Sequence, residues 1–541
     1  MMKPIARQAR HLACVITALC AVQATAATQS DPLAFAADQY RLETRTIQTA
    51  TGSHQVSYRL YEHLPYVAKP VDLAYQSLDV WVPEAIDGTA IDATGAPMLL
   101  NIKVGGYRSV SNAKGGMPDF SAMTGQPGDQ PPGQGKPPEG GKPPEGGKPP
   151  EGGKPPKDGQ PGGAGMPPGQ EGVAPGGGMG GDKADLALAA GYVVVTPGVR
   201  GWDNQDAKGQ YVGKAPAAIV DLKAVVRYLR HNDASMPGNA EWIVSAGCSA
   251  GGALSALLGI SGNSPFYTPY LKALGAADAP DNIFASACYS PIADINHADL
   301  SYEWQFGDLP VNGKKVDARQ SAELKAGFGP YLASLGLKGP GDVGSLSVEN
   351  YGDFALRYYL QPSATAYLAG LDEAQRKAYL AKQRWIHWQD GQASFSFADF
   401  VSHGSRMKGV PAFDDAKLSS PESQLFGDAS TPANHFTLYG LRQAKGRQDV
   451  QLDPALVQRI AMMNPHYFLS QPDRGMAGHW WLRNGSRDNN NDLSVMLNLA
   501  TGLTNRGKAV NAALFWDGGH CADTDPAGMV RWIGEITGYA H

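Results

Sequence analysis

Residues 247–252 read Gly-Cys-Ser-Ala-Gly-Gly, with Ser249 two positions from a glycine on either side. Gly-x-Ser-x-Gly is the spacing of a sharp strand-to-helix turn that lifts a serine hydroxyl clear of its neighbours. Alone the motif is weak, because a chain with 66 glycines in 541 residues supplies such a match by chance about once in every two sequences. A serine hydroxyl becomes a nucleophile only when a histidine takes its proton and a carboxylate holds that histidine in one tautomer. With the serine on such a turn, the partners follow along the chain as Asp or Glu and then His. His520 closes the apolar run NAALFWDGGH, and Asp488 follows HWWLRNG. Each stands where a strand hands the chain to a loop, so Ser249, Asp488 and His520 are the expected nucleophile, acid and base. Asp492 competes with Asp488, for the acid role and for the N-cap of the next helix. The backbone N–H of Ala250 and one from Gly105 or Gly106 in VGGY are the expected oxyanion donors.

Cys248 directly precedes the serine and Cys521 directly follows the histidine. A serine and histidine that share a proton bring their neighbours together, so a Cys248–Cys521 disulfide is expected, with Cys288 left as a buried free thiol. The run Asp488-Asn-Asn-Asn-Asp492 opens like a calcium loop, but Leu493 and Leu499 stand where glycine and glutamate are required. No metal and no cofactor are expected.

The elements that must position these residues alternate along the chain. SLDVWVP (77–83) and PMLLNIKVGG (97–106) read as neighbouring strands, and GYVVVTPGVRG (191–201), EWIVSAG (241–247) and IFASACYSP (283–291) as buried ones. AAIVDLKAVVRYLRH (217–231) carries Ile219, Leu222, Val225, Val226 and Leu229 on one helical face. Strand and helix in alternation predict a mostly parallel sheet flanked by helices. The pattern stops for a helix-rich stretch and resumes at residue 479.

The expected organisation is therefore a signal peptide (1–26), a first catalytic segment (27–123), a disordered insertion (124–181), a second catalytic segment with the serine turn (182–296), a cap (297–478) and a third catalytic segment (479–541). Lys3, Arg7 and Arg10 precede the apolar stretch Leu12–Val22 and a small-residue site at Ala24-Thr25-Ala26, which predicts export to the periplasm or beyond. The insertion holds KPPEGG repeats that cannot offset their ordering entropy by burial, and a contact with the cell surface or matrix is one role for them. Hydrophobic content of 42% supports a full core, while a net charge of −5 offers no footprint for nucleic acid. No later segment has about 18 uninterrupted apolar residues, so no membrane span is expected.

The stretches YRLYEHLPYVAKPVDLAYQSLDVWVP, GCSAGGALSALLG, ADINHADLSYEW, FADFVSHGSRMKGVPAFD and HWWLRNGSRDNNND together resemble the bacterial tannases, over nearly the full chain apart from the signal and the insertion. The resemblance implies the α/β-hydrolase fold and cleavage of galloyl esters, with Ser249, Asp488 and His520 as the triad. It also implies that Lys408 and Glu422 in the cap grip the ring hydroxyls of a small aromatic ester, through charge-assisted hydrogen bonds. A second aspartate of that family's clamp is replaced here by Asn490, which brings no charge and opens the alternative of a feruloyl-type or general carboxylesterase. A surface-tethered binding protein with a relict site is the reading from another class. Fungal tannases and feruloyl esterases share the Cys-Ser, Asp, His-Cys arrangement, in keeping with the disulfide. His297, His403, His435 and His479 carry no catalytic pattern.

Overall fold

The computed structural model describes residues 31–112 and 181–539, the side chains of 181 and 182 excepted. The expected signal peptide and all but the last residue of the repeat insertion lie outside the described residues.

A ten-stranded sheet organises the chain. Its strands are β1 (Arg41–Thr49), β2 (Gly52–Pro65), β3 (Ser77–Ile86), the two-residue β4 (Thr89–Ala90), β5 (Met98–Ile102), β6 (Val193–Pro197), β7 (Ile243–Cys248) and β8 (Ala285–Tyr289). A separate hairpin, β9 (His387–Gln389) and β10 (Gln392–Ser394), precedes the last two, β11 (His479–Gly485) and β12 (Ala509–Phe515). The spatial order is β1-β2-β3-β6-β5-β7-β8-β11-β12, with β4 on β3. The first strands pair antiparallel, and from β6 to β12 every pairing is parallel.

The sequence expectation that β3 and β5 are neighbours is corrected, because β6 lies between them. β3 pairs antiparallel with β6, and β5 pairs parallel with β6 on one side and β7 on the other. Parallel pairing needs a long crossover, so the strand adjacent in space is not the next in sequence. The reversal of strand order at β5 leaves a crevice at the carboxyl ends of β5 and β7, where ligands of open α/β sheets bind.

β5, β6 and β8 are buried along their length. Their residues alternate between two apolar layers: Met98, Leu100, Val193 and Val195 face one side, Leu99 and Val194 the other. Helix α1 (Gly181–Ala189) and the helix Pro526–Thr537 cover the second face, while α2 (Ala217–His231) and α3 (Ala250–Ile260) cover the first. Between β8 and β11 the chain is helical apart from the β9–β10 hairpin and its loops, and Phe328, Tyr351 and Phe354 of this cap join the first layer's core. No helix among the described residues is long and apolar enough to cross a membrane.

Two charged side chains of α2 are buried and paired. Asp221 binds the Arg200 guanidinium at 2.8 Å. Lys223 is fully buried, donating to Asp281 at 2.8 Å and to the Ser261 carbonyl at 2.7 Å. Asp281 also accepts from Arg227 and from the Asn263 N–H, so it is the hub that fastens α2 beneath the sheet. Replacing Asp281 by Ala strands the Lys223 ammonium in the core. We expect a loss of about 3–5 kcal/mol, read as a lower denaturant midpoint in urea unfolding; an unchanged midpoint refutes the hub role.

Candidate active site

β7 delivers the chain to Ser249, whose backbone takes φ 58° and ψ −125°. A positive φ at a residue with a Cβ costs on the order of 1–3 kcal/mol, and surrounding contacts hold it. The Ser249 N–H donates to the Tyr289 carbonyl at 3.0 Å, and the Ser249 carbonyl accepts from Ala253 and Ile292. The flanking glycines explain themselves by what a side chain would strike. A Cβ on Gly247 would run into the Gly251 carbonyl, one on Gly251 would lie 2.8 Å from the Val104 oxygen, and one on Gly252 would lie 2.7 Å from the Tyr289 oxygen. Turn, helix and the loops after β5 and β8 thus meet backbone to backbone.

Asp488 lies in the loop after β11 and is almost fully buried. Its Oδ1 accepts the N–H groups of Asn490 (3.0 Å) and Asn491 (3.3 Å), and its Oδ2 is 2.9 Å from His520 Nδ1. The carboxylate assigns the proton to Nδ1 and leaves Nε2 as the acceptor nitrogen. That Nε2 is buried and has no hydrogen-bond partner among the described residues. Asp492 is engaged elsewhere: it caps the helix Leu493–Asn505 and accepts from Ser301 and Ser494.

Cys248 and Cys521 form a disulfide with Cα atoms 5.8 Å apart, spanning 273 residues. It sets Ser249 and His520 on either side of one covalent bridge. Cys288 is the free cysteine among the described residues, and burial pushes its thiol up to about 12. The acid and base loops are further laced by Arg487 N–H to the Gly518 carbonyl (2.8 Å) and Asp517 N–H to Ser486 Oγ (2.9 Å). Lys183 of α1, which sequence reasoning missed, holds Asp523 of the base loop at 2.5 Å and sits 3.9 Å over the Tyr289 ring.

The N–H of Ala250 opens α3 and has no partner within that helix. In the loop after β5, Gly106 and Tyr107 both take positive φ. Trp202 Nε1 donates to the Gly106 carbonyl at 2.7 Å, and in a trans peptide this turns the Tyr107 N–H the opposite way. The sequence pointed to Gly105 or Gly106; the peptide whose orientation is fixed carries the Tyr107 N–H, a further candidate donor beside them. A tyrosine in a glycine-like conformation leaves no signal in composition.

The cap contributes charge. The Lys408 N–H donates to Tyr302 Oη, which itself donates to the Asn489 carbonyl at 2.7 Å, and Asn489 Nδ2 reaches Ser405 Oγ at 2.9 Å. These bonds fasten the cap loop 405–408 to the acid loop, beside Asn490. Burial lowers the Lys408 ammonium pKa, opposed first by Glu422 and then by Asp299, Asp488 and Asp492. Burial raises the Glu422 carboxyl, with Lys408 opposing. The two feel each other without closing a contact ion pair among the described residues. The Asn490 N–H binds Asp488, and the residue is half-buried.

A cavity against Asp488 is walled by Trp385, Phe400 and Trp516, with Gln305, Gln383 and Arg487 as polar members. Only the aromatic richness of the cap hinted at it. The remaining histidines are absorbed locally: His297 by Asp294 (2.8 Å) and a stack on Tyr331, His435 by Asp414 (2.7 Å), His403 on Trp385, His479 on Phe284.

With this geometry in hand, comparison with known proteins is informative. The BD-FAE family matches residues 179–283. Two curated esterases of Mycobacterium tuberculosis match in part: LipQ is 34% identical over 88 residues and LipC 44% over 52. Those matches span 16% and 10% of this chain and only 20% and 13% of the relatives' own lengths. Solved structures match far more fully. The Fusobacterium nucleatum tannase is 31% identical, covering 93% of this chain and 99% of that one, with a TM-score of 0.72. A tannin acyl hydrolase in complex with ethyl gallate is 32% identical with the same coverages and a TM-score of 0.71. The native Lactobacillus plantarum tannin acyl hydrolase is 30% identical, again covering 93% and 99%, at 0.70.

Asp299, one of the carboxylates facing Lys408, is raised from 3.8 to about 7, chiefly by burial. Its native form therefore keeps a proton that the unfolded chain has released. Stability from this group is present below about pH 4 and is lost as pH rises to about 7. Thermal unfolding at pH 5 and pH 8 should show a larger fall in Tm for the wild type than for Asp299→Asn. Equal falls would mean that Asp299 does not titrate in this window.

Proposed function

The chain belongs to the bacterial tannases, and from that premise we propose that Ser249, Asp488 and His520 hydrolyse galloyl esters through an acyl-enzyme. The observation that carries the assignment is the His520 Nδ1–Asp488 contact at 2.9 Å with Nε2 buried and unpartnered among the described residues, one disulfide away from Ser249. In the forward step His520 Nε2 takes the Ser249 proton as Oγ attacks the ester carbonyl, then gives it to the departing alcohol. Water enters by the same route to release the acid, while Asp488 stabilises the imidazolium that forms each time. The N–H groups of Ala250 and Tyr107, with Gly105 and Gly106 as alternatives, stabilise the charge that develops on the carbonyl oxygen. The chain is thus a carboxylic ester hydrolase that needs from its residues only a proton shuttle, an oriented turn and two or more amide donors.

Substrate choice rests on the cap. Lys408 and Glu422 are desolvated enough to shift each other's ionisation yet are not spent on one another. A ring bearing adjacent hydroxyls fits between a cationic donor and an anionic acceptor, so the galloyl ring is the reading that these charges support best. The neutral Asn490 supports a second reading, in which rings with fewer free hydroxyls are also accepted.

Hydrolysis of methyl gallate and methyl ferulate by the purified protein tests the pair of readings: gallate is expected to win, and a clear preference for ferulate overturns the galloyl assignment. Ser249→Ala should lower kcat by a factor on the order of 10⁴ or more, and unchanged turnover refutes the nucleophile. Lys408→Met should lower kcat/KM for methyl gallate by about 10-fold or more while sparing a simple acetate ester; equal losses on both would show a structural role only.

A further inference from the structure

The two cysteines and the catalytic histidine have a second chemical capacity. Among the described residues, Cys248 Sγ, Cys521 Sγ and a ring nitrogen of His520 lie within 4.8 Å of one another. As a disulfide the sulfurs bind no metal. We propose that, once the Cys248–Cys521 bond is reduced, these three residues form a binding site for a thiophilic divalent cation, and that occupancy of this site switches off ester hydrolysis.

Three independent features support the site. The donor set, two thiolates and one imidazole, is the one that zinc favours, and Zn–S and Zn–N bonds of about 2.3 and 2.0–2.1 Å need donor atoms within about 4 Å of one another. The sulfurs begin bonded and have only to part to that separation, so no large backbone shift is required. The second feature is the imidazole itself. His520 Nδ1 is held by Asp488 Oδ2 at 2.9 Å, and Nε2 is buried with no hydrogen-bond partner among the described residues. A carboxylate on one ring nitrogen with the other directed at a metal is the arrangement that fixes zinc-ligating histidines. A triad acid and base thus present a metal-ready ligand. The third feature is anchorage: the Cys521 N–H is fixed to Ser290 Oγ at 3.0 Å and Cys248 ends β7, so both thiols remain positioned after the bond is cut.

The chemistry balances with a named reductant. A dithiol gives up two electrons and two protons, becoming a cyclic disulfide while the protein gains two thiols. Each thiol then releases its proton as its sulfur bonds the cation. Three protein ligands leave a fourth position for water or the Ser249 hydroxyl. With Nε2 as the imidazole donor to the metal, the base can no longer accept the serine proton. In this light the disulfide also shields the base from metal capture.

Metal binding does not depend on the proposed function, whereas the loss of turnover does, so the two are measured separately. The full chain is reduced with a dithiol, freed of it under nitrogen and titrated with Co²⁺ and then Zn²⁺, beside an unreduced sample. The expected result is one Co²⁺ per chain in reduced protein only, with a thiolate-to-cobalt absorption band that Zn²⁺ bleaches. Residual ester hydrolysis should fall with added Zn²⁺ and return with a chelator. His520→Gln, which keeps both cysteines, should weaken Zn²⁺ binding by about 10-fold or more. Equal binding before and after reduction, no thiolate band, or undiminished affinity in His520→Gln overturns the site. Loss of the native near-ultraviolet circular dichroism on reduction overturns it too, since the site then has no folded form. Metal bound at full affinity with turnover unchanged overturns the switch.

Discussion

Everything at the carboxyl edge of the sheet depends on a place where backbone must touch backbone. Ser249 holds a left-handed conformation because β7, α3 and the loops after β5 and β8 converge on it, and they converge because Gly247, Gly251 and Gly252 present no side chains there. The strain of the turn is held by hydrogen bonds to Tyr289, Ala253 and Ile292. The same economy recurs one strand pair away. A Cβ on Gly485 would collide with the carbonyls of Gly518 and Gly519, so the acid and base loops also close on bare backbone.

Onto this frame the chain adds constraints of different kinds for each partner. The His520 loop is tied covalently to the Ser249 turn through Cys521 and Cys248, and ionically to α1 through Asp523 and Lys183. The acid is tied by amide donors and, through Tyr302 and Asn489, to the cap. The cap loop that carries Lys408 is itself pinned by the buried Arg406–Glu303 pair, whose charges are completely enclosed. Lys408, Asp488 and His520 are therefore positioned through shared loops, as one connected set of residues.

How much of this was legible depends on which physical signal a residue leaves. α2 was readable to its ends, because an amphipathic period and a histidine boundary are local. The pairing of Asp488 with His520 was readable because strands of one fold deliver such partners in sequence. β1 leaves little strand signal because its residues are largely exposed and polar, whereas β2 does alternate, burying Val56, Tyr58 and Leu60 on one face. The position of β6 between β3 and β5 is decided by a crossover, which composition does not record. Tyr107 is set by peptide orientation and Lys183 by a contact 340 residues distant in the chain, with Asp523. Lys408 and Glu422 were reached only through family resemblance, since a lysine and a glutamate in a polar loop otherwise look like surface.

The disulfide has one more consequence, topological rather than chemical. Residues 248 to 521 form a closed covalent ring, and α3, β8, the entire cap, β11 and β12 lie inside it. A protease that nicks any cap loop therefore releases nothing: the chain becomes two polypeptides, one ending after the serine and the other beginning before the histidine, still joined at Cys248 and Cys521. The KPPEGG repeats lie outside the ring, so a cut there separates the N-terminal strands from any covalent connection to the rest. The chain is thus protected unequally: a cut in the cap is bridged by the bond, and a cut among the repeats is not.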